Sequence, residues 1–535
     1  MAKTNDFILR GPPCHAPKID KGVGEYFFEQ AHKLGDTIFQ IDGNSGKAET
    51  YGEVKRRSTR VALYLQKIEL KSKNIVLLCC KNNLDNIVPA LAAQYLGAIV
   101  ASIDPTQSVA DAKHVISLVE PKVIFFEEKS LDLLNDALQE FDQKPHMISI
   151  GSLTGKYLDM SKIETEGQGE ENFEPIKQKG SDVAVILFSS GTTSAPKGIY
   201  LTNWGMLNVV GSVIQHNNLK PGMMMHFTSL YWVSAWLITC ICIVNGTSKA
   251  IGTDIDAKKT LEIIDKYKVT HILTSNLLIY RLTNLPVETF KKFDTSSLYS
   301  ILTGGSTIDP QRLLEVRKYL PHTNVNLGYG SSESNFLACH NYSDRKLSDE
   351  KISSSGTVVP DVQLKFSDVD TRKPLGPNQT GEVCIKSEYM MGGYHKFSNP
   401  NVFDEDGFLK TGDVGYYDED GYVYVTDRIG EMFKYRGYHI SPTVLETALL
   451  QHPAVGEAVA FGLSDPDPAN GSLPAACVVL KFNVSEQALK KFIESKLGDL
   501  YQLRGGIKFV ETIPRTPSGK LQRRGARELF LKLQN

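Results

Sequence analysis

The chain reads as an α/β protein of more than one domain, and three observations lead there. Its 535 residues exceed the about 250–300 at which a single hydrophobic core stops growing. Apolar runs alternate with amphipathic stretches, as where residues 74–80 precede 84–96, which favours layered, substantially parallel sheets. The third observation is a strand–loop–helix passage. The short apolar run Val183–Phe188 is expected to be a buried strand, and a helix is expected to start near Thr202-Asn203. Residues 161–180 are polar, with several glutamates and glycines, and are expected to be a solvated loop. Residues 230–244 carry no charge, but Ser234 and Thr239 interrupt them. Their continuously apolar part is shorter than the ~20 residues a bilayer requires, so a buried helix is expected there and no transmembrane segment.

Between that strand and helix lies Ser189-Ser190-Gly191-Thr192-Thr193-Ser194-Ala195-Pro196-Lys197-Gly198. Its composition suits a polyphosphate. Glycine admits close backbone approach, hydroxyls and amides donate hydrogen bonds, and lysine neutralises charge. It is not a Walker A loop, because Pro196 stands where the second glycine belongs and Gly198 follows the lysine.

Four further segments follow. They are Gly328-Tyr329-Gly330-Ser331-Ser332-Glu333-Ser334, with the turn Leu302-Thr303-Gly304-Gly305-Ser306 upstream; Lys410-Thr411-Gly412-Asp413; a stretch from Asp427-Arg428 through Lys434 and Gly437 to Glu446; and Pro514-Arg515-Thr516-Pro517-Ser518-Gly519-Lys520. With the loop, they resemble in order and separation the motifs of the adenylate-forming superfamily: acyl-CoA synthetases, plant coumarate-CoA ligases, beetle luciferases and peptide-synthetase adenylation domains. Residues 50–54 and 90–105 extend a weaker likeness toward the N-terminus.

The resemblance implies a large multi-subdomain N-terminal domain with layered sheets, residues 1–427, holding the ATP and acyl sites. A small mobile α+β lid domain, residues 428–535, would follow. It implies that Ser189, Ser190, Gly191, Thr192, Thr193 and Lys197 cradle phosphates, and that Gly304 and Gly305 lie along the adenine and acyl pocket. Tyr329 would stack on adenine beside Gly330. The Ser332 hydroxyl would meet the α-phosphate region, and Glu333 would hold Mg2+, which prefers carboxylate and phosphate oxygens. Asp413 would anchor the ribose, Arg428 would reach ribose and phosphate, and Asp427 would lie at the hinge. Lys434 and Gly437 would belong to the face presented to CoA, and Lys520 would be the mobile lysine of adenylation.

The activity implied is ATP-dependent activation of a carboxylic acid through an acyl-adenylate, then transfer to CoA, with a fatty or aryl-propenoic acid as substrate. An adenylating oxidoreductase of the luciferase kind, using O2, is the alternative, and a non-catalytic relative is a third. Lys197, Glu333, Asp413, Arg428 and Lys520 together argue against the third. The chain also departs from the pattern. Ser194 replaces a glycine, and His439 stands where many relatives have glutamine. Tyr231 or Trp232 falls where many coumarate ligases and luciferases have histidine, which weakens the luciferase analogy. Tyr231, Trp232 and Trp236 suit an acyl pocket for a bulky apolar or aromatic acid, and equally suit a core.

A net charge of -2 gives no argument for a nucleic-acid partner. The eight cysteines form no Cys-x-x-Cys pair and read as small hydrophobes in a reducing compartment. No Gly-x-Ser-x-Gly hydrolase elbow occurs. The start lacks an apolar signal core, and the last residues, Lys532-Leu533-Gln534-Asn535, are not a Ser-Lys-Leu address. A cytoplasmic location is the expectation.

Overall fold

The computed structural model describes residues 6–151, 157–166, 169–188, 196–306, 308–342, 345–436, 438–465, 467, 471–515 and 521–534. Ser189, Ser190, Gly191, Thr192, Thr193, Gly437 and Lys520 lie outside the described residues.

Period-two alternation decides how the layers stack. In Ile75–Cys79, Ile75, Leu77 and Cys79 face one core, while Val76 and Leu78 face another. Each face of the sheet is therefore covered, as parallel strands require. Among the described residues this strand belongs to a seven-stranded sheet that is parallel except at one edge, where Gly198–Thr202 runs antiparallel to Val183–Phe188. A nine-stranded sheet has a parallel centre that includes Met223–His226, His271–Ser275, Ser300–Gly304 and Asn324–Ser331, with antiparallel edges. Between the two sheets, helices Val23–Lys33, Tyr51–Lys67, Ile87–Tyr95, Asn203–Asn217 and Val233–Asn245 share one large core. A third, antiparallel sheet carries Leu409–Tyr417 and Val423–Arg428.

After Arg428 the described strands pair only with one another. They form the hairpin Phe433–Tyr435/Tyr438–Ile440 and a three-stranded sheet that packs with helices Pro442–Leu450, Glu486–Leu497 and Arg523–Lys532. A large N-terminal α/β domain and a small C-terminal α+β domain are thus observed.

Local sequence explains the helix starts. Thr50 Oγ1 accepts from Glu53 N at 3.1 Å while Glu53 Oε2 accepts from Thr50 N at 2.7 Å, closing a capping box ahead of Tyr51–Lys67. Thr202 caps Asn203–Asn217 in the same way, by accepting from Gly205 N at 3.1 Å. The apolar stretch at 230–244 forms the helix Val233–Asn245. No helix among the described residues is long and apolar enough to cross a membrane. Seven of the eight cysteines are buried, and Cys14 is half-buried.

Residues 161–180 overturn the expectation of a solvated loop. They hold most of the helix Met160–Glu166 and the 3-10 turn Glu170–Asn172. Arg57 Nε donates to Glu164 Oε2 at 2.9 Å and Arg60 Nε to Glu170 Oε2 at 2.6 Å, while Phe173 is buried. The glutamates are ion-pair partners of helix Tyr51–Lys67, more than 100 residues earlier.

A lysine is enclosed in the main core. Lys249, on Ser248–Ile251, is 2% exposed. Its Nζ donates to Thr239 Oγ1 at 3.1 Å and lies 4.9 Å from the Phe39 ring centroid. Burial lowers its pKa to about 8.

Candidate active site

The ends of the parallel strands Ser300–Gly304 and Asn324–Ser331 approach the antiparallel pair Leu409–Tyr417/Val423–Arg428, and chemistry-bearing side chains converge there. Asp413 lies directly across the ladder from Arg428. Its buried carboxylate accepts from Arg428 Nε at Oδ1 and from Tyr329 OH at Oδ2, each at 2.7 Å. A carboxylate has about four lone-pair sites, so two such bonds leave acceptors for a diol. The charge of Asp413 raises the Arg428 pKa against the opposing effect of burial. Burial, then Asp413, raises the Tyr329 phenol well above its ordinary value, which keeps it a neutral donor.

The backbone around Asp413 is fixed on both sides. Gly412 adopts φ +72°, and its N–H donates to Glu382 Oε1 at 3.0 Å. Glu382 is in turn paired with Arg372 at 2.6 Å. Thr411 Oγ1 accepts from Asp413 N at 3.0 Å while donating to Val383 O at 2.7 Å.

Glycine is required where strands crowd. A Cβ on Gly304 would lie 2.7 Å from Gly328 O, and one on Gly330 would lie 2.3 Å from Asn335 O. Gly305 follows at φ +88°. Past Gly330, Ser332 and Glu333 are half-buried in the turn to Asn335–Cys339. The Ser331 and Ser334 hydroxyls, 2.9 Å apart, brace that turn. Glu333 bears electrostatically on Arg428 and on Tyr394, whose phenol is pushed up to about 12 by burial and then by Glu333.

Lys197 precedes the edge strand Gly198–Thr202, and its Nζ lies 4.7 Å from the Phe397 ring centroid and 5.9 Å from that of Tyr394. Residues 392–395 run beside this strand. Gly392 N donates to Tyr200 O at 2.8 Å, Tyr200 N to Gly393 O at 2.9 Å, and His395 N to Gly198 O at 2.8 Å. Sequence reasoning missed Tyr394 and Phe397; the glycine pair Gly392-Gly393 ahead of Tyr394 was the available signal of a close backbone approach.

The aromatic residues of the expected acyl pocket have different surroundings. Tyr231 is buried, accepts from Gln107 Nε2 at 2.9 Å, and meets Trp232 edge-on at 5.0 Å. Trp232 is half-buried at the helix start. Trp236 is 1% exposed, and its indole N–H donates to Leu230 O at 2.9 Å. Lys434 is exposed on the Phe433–Tyr435 hairpin strand. Asp427 is buried, and its carboxylate accepts from Arg428 N at 2.7 Å and Ser441 Oγ at 2.5 Å. Burial raises its pKa.

The family model of the AMP-binding enzymes matches residues 27–395, and that of the AMP-binding enzyme C-terminal domain matches residues 444–520. The chain belongs to this family. It is therefore an adenylate-forming enzyme by superfamily, and its large and small domains correspond to the two matched regions. Luciferin 4-monooxygenase of Nipponoluciola cruciata is 29% identical, with 99% of this chain and 98% of that protein covered. 4-Coumarate–CoA ligase 1 of Petroselinum crispum is also 29% identical, at 98% and 97% coverage. Among solved structures, the luciferase-like enzyme from the nonluminescent Zophobas morio mealworm is 39% identical, with a TM-score of 0.76, covering 80% of this chain and 100% of that one. The anthranilate CoA ligase AuaEII in complex with anthranoyl-AMP has a TM-score of 0.86 at 20% identity, covering 97% and 99%, and shares the fold.

Among the described residues no group of three or more His, Cys, Asp or Glu side chains could hold a metal by itself. The donor set at Glu333 is a single carboxylate, which fits Mg2+ shared with phosphate oxygens.

Proposed function

We propose that the protein is an AMP-forming acid–thiol ligase, which converts a carboxylic acid and ATP to an acyl-adenylate and pyrophosphate, then transfers the acyl group to CoA. The observation that carries this reading is the Tyr329–Asp413–Arg428 cluster beside Glu333. It offers diol acceptors, a fixed guanidinium and a metal-competent carboxylate in one place.

In the first step the acid's carboxylate attacks the α-phosphorus of ATP, and pyrophosphate leaves. Negative charge gathers on phosphoryl oxygens, so positioned cations lower the barrier. Asp413 holds the ribose diol, Arg428 faces ribose and α-phosphate, and Tyr329, Gly330, Gly304 and Gly305 shape the adenine side. Ser332 meets the α-phosphate region. Ser189, Ser190, Gly191, Thr192, Thr193 and Lys197 cradle the β- and γ-phosphates, and Lys520 joins them. Mg2+ held at Glu333 and phosphate oxygens would neutralise part of that charge. In the second step the CoA thiol attacks the acyl carbon and AMP leaves, with Lys434 and Gly437 on the incoming face. Tyr231 and Trp232, in edge-on contact, are proposed to wall a pocket for a fatty or aryl-propenoic acid, while Trp236 packs in the main core away from them.

Two steps through one site call for a switch. We assign the boundary to residues 1–427 and 428–535, with the small domain turning about Asp427. Lys520→Ala is expected to abolish adenylate formation and to spare thioester formation from preformed adenylate. Equal loss of both half-reactions would sink the two-face assignment. The proposed location is cytoplasmic.

Luciferin 4-monooxygenase and coumarate–CoA ligase relatives match equally well, which supports O2-dependent use of the adenylate as the second reading. Acid-dependent ATP–pyrophosphate exchange across fatty and aryl acids, each followed by thioester detection with CoA, separates the readings. Exchange with thioester supports the ligase. Exchange without thioester but with O2 uptake supports the second reading, and no exchange with any acid overturns both.

A further inference from the structure

A triad far from the motifs reaches the Glu333 turn. Lys18 Nζ donates to Tyr389 OH at 2.6 Å and to Asp361 Oδ2 at 2.8 Å, and Tyr389 OH donates to the same oxygen at 2.8 Å. Asp361 stands at φ +60°, with its second oxygen accepting from Cys14 N at 2.9 Å. Tyr389 is 1% exposed, and this half-exposed ion pair meets its hydroxyl, with Lys18 Nζ also 5.0 Å from the ring centroid.

From Tyr389 the backbone grips the turn at two points. Tyr389 O accepts from Asn335 Nδ2 at 2.5 Å, and Met391 N donates to Glu333 O at 2.8 Å. Asn335 itself takes φ +59°, a conformation its short amide tolerates. There is no slack behind Tyr389, since a Cβ on Gly205 would come within 2.9 Å of Tyr389 O. The same segment then continues along Gly198–Thr202, immediately after Lys197. It ends at His395, where Nδ1 meets Tyr200 OH at 2.7 Å and Nε2 meets Leu118 O at 3.0 Å.

We infer that residues 389–395 are a clamp that sets the separation of Lys197 and Glu333, and that Lys18, Asp361 and Tyr389 are positioning residues fixing its near end. The inference deepens the proposed adenylation reading and rests on it for the roles of Lys197 and Glu333. The ends of the clamp are pinned by side chains, while its middle bonds through main chain to the two elements that carry charge to the phosphates. Small displacements of such groups are costly, because their effect depends on geometry at the reacting atoms.

The test uses Tyr389→Phe, which removes one oxygen and keeps the ring, and Lys18→Met, a change at a half-exposed site. Calorimetric titration of the full chain with ATP is run with Mg2+ and with EDTA, alongside thermal unfolding. Each variant is expected to weaken Mg2+-dependent ATP binding about tenfold, as loss of a partner that orients a metal ligand does. Binding in EDTA should change much less, the double variant should be no worse than either single one, and Lys18→Arg should restore most of the loss. Variants that lower the melting temperature with an unchanged ratio of Mg2+ to EDTA affinity would show a structural staple and overturn the inference. Mg-ATP binding by the unaltered chain without acid-dependent exchange removes the adenylation reading while leaving the clamp measurable. Absence of Mg-ATP binding overturns both.

Discussion

Asp413 shows how few atoms the site depends on. One buried carboxylate orders a phenol and a guanidinium and keeps acceptors to spare. Asp413→Asn keeps the shape but loses the charge, and kcat/KM for ATP is expected to fall by roughly 30-fold or more, about 2–3 kcal/mol for charge-assisted hydrogen bonds. Tyr329→Phe should cost less, since Arg428 still orders the carboxylate. Equal losses from the two variants would contradict this ranking. Lys249 supplies a stability prediction with a definite sign. Its pKa is about 8 when folded and about 10.4 in an unfolded chain. Between those values the unfolded chain holds the additional proton, so stability rises with pH there. Its neighbours His226, at about 3, and Cys240 and Cys242, at about 12, do not titrate in that window. Lys249→Met is expected to be more stable than the parent near neutrality, by up to on the order of 3 kcal/mol. The gap should close toward about pH 10 as the parent lysine discharges. Calorimetric melting at both pH values checks it, and a pH-independent gap would refute the assignment.

At the scale of elements, short contiguous signals were legible and paired ones were not. The strand Val183–Phe188 and the helix start at Thr202 could be read because hydrophobic runs and caps are local. Thr50→Ala should cost about 1 kcal/mol by removing half of a capping box, seen as a lower melting temperature without change in ATP affinity. Residues 161–180 were misread because their glutamates looked solvated, whereas Arg57 and Arg60 pair with them across the fold. The segments that bring Tyr329, Asp413 and Arg428 together could be picked out because each is a short contiguous run. The clamp at 389–395 could not, because Lys18, Asp361, Tyr389 and Asn335 are scattered along the chain and none of them forms a motif.

At the scale of the whole molecule, the small domain gathers its own segments in a cluster just past the connection. Arg523, on the final helix, donates to Glu431 Oε2 at 3.1 Å, to Ala460 O at 2.6 Å and to Glu446. Removing the cation strands two half-buried carboxylates. Arg523→Gln is therefore expected to destabilise the small domain by about 1–3 kcal/mol, visible as an earlier, separate unfolding step in calorimetry. A single unshifted transition would count against it. The alternation of layers was readable from the sequence, but this cluster depends on four separated segments and was not. Nearby, Arg428 closes the strand Val423–Arg428 at the proposed boundary, directly across from Asp413. Were the small domain to turn as proposed, such a rung would act as its bearing, and torque along the connection would arrive first at the carboxylate proposed to hold the sugar.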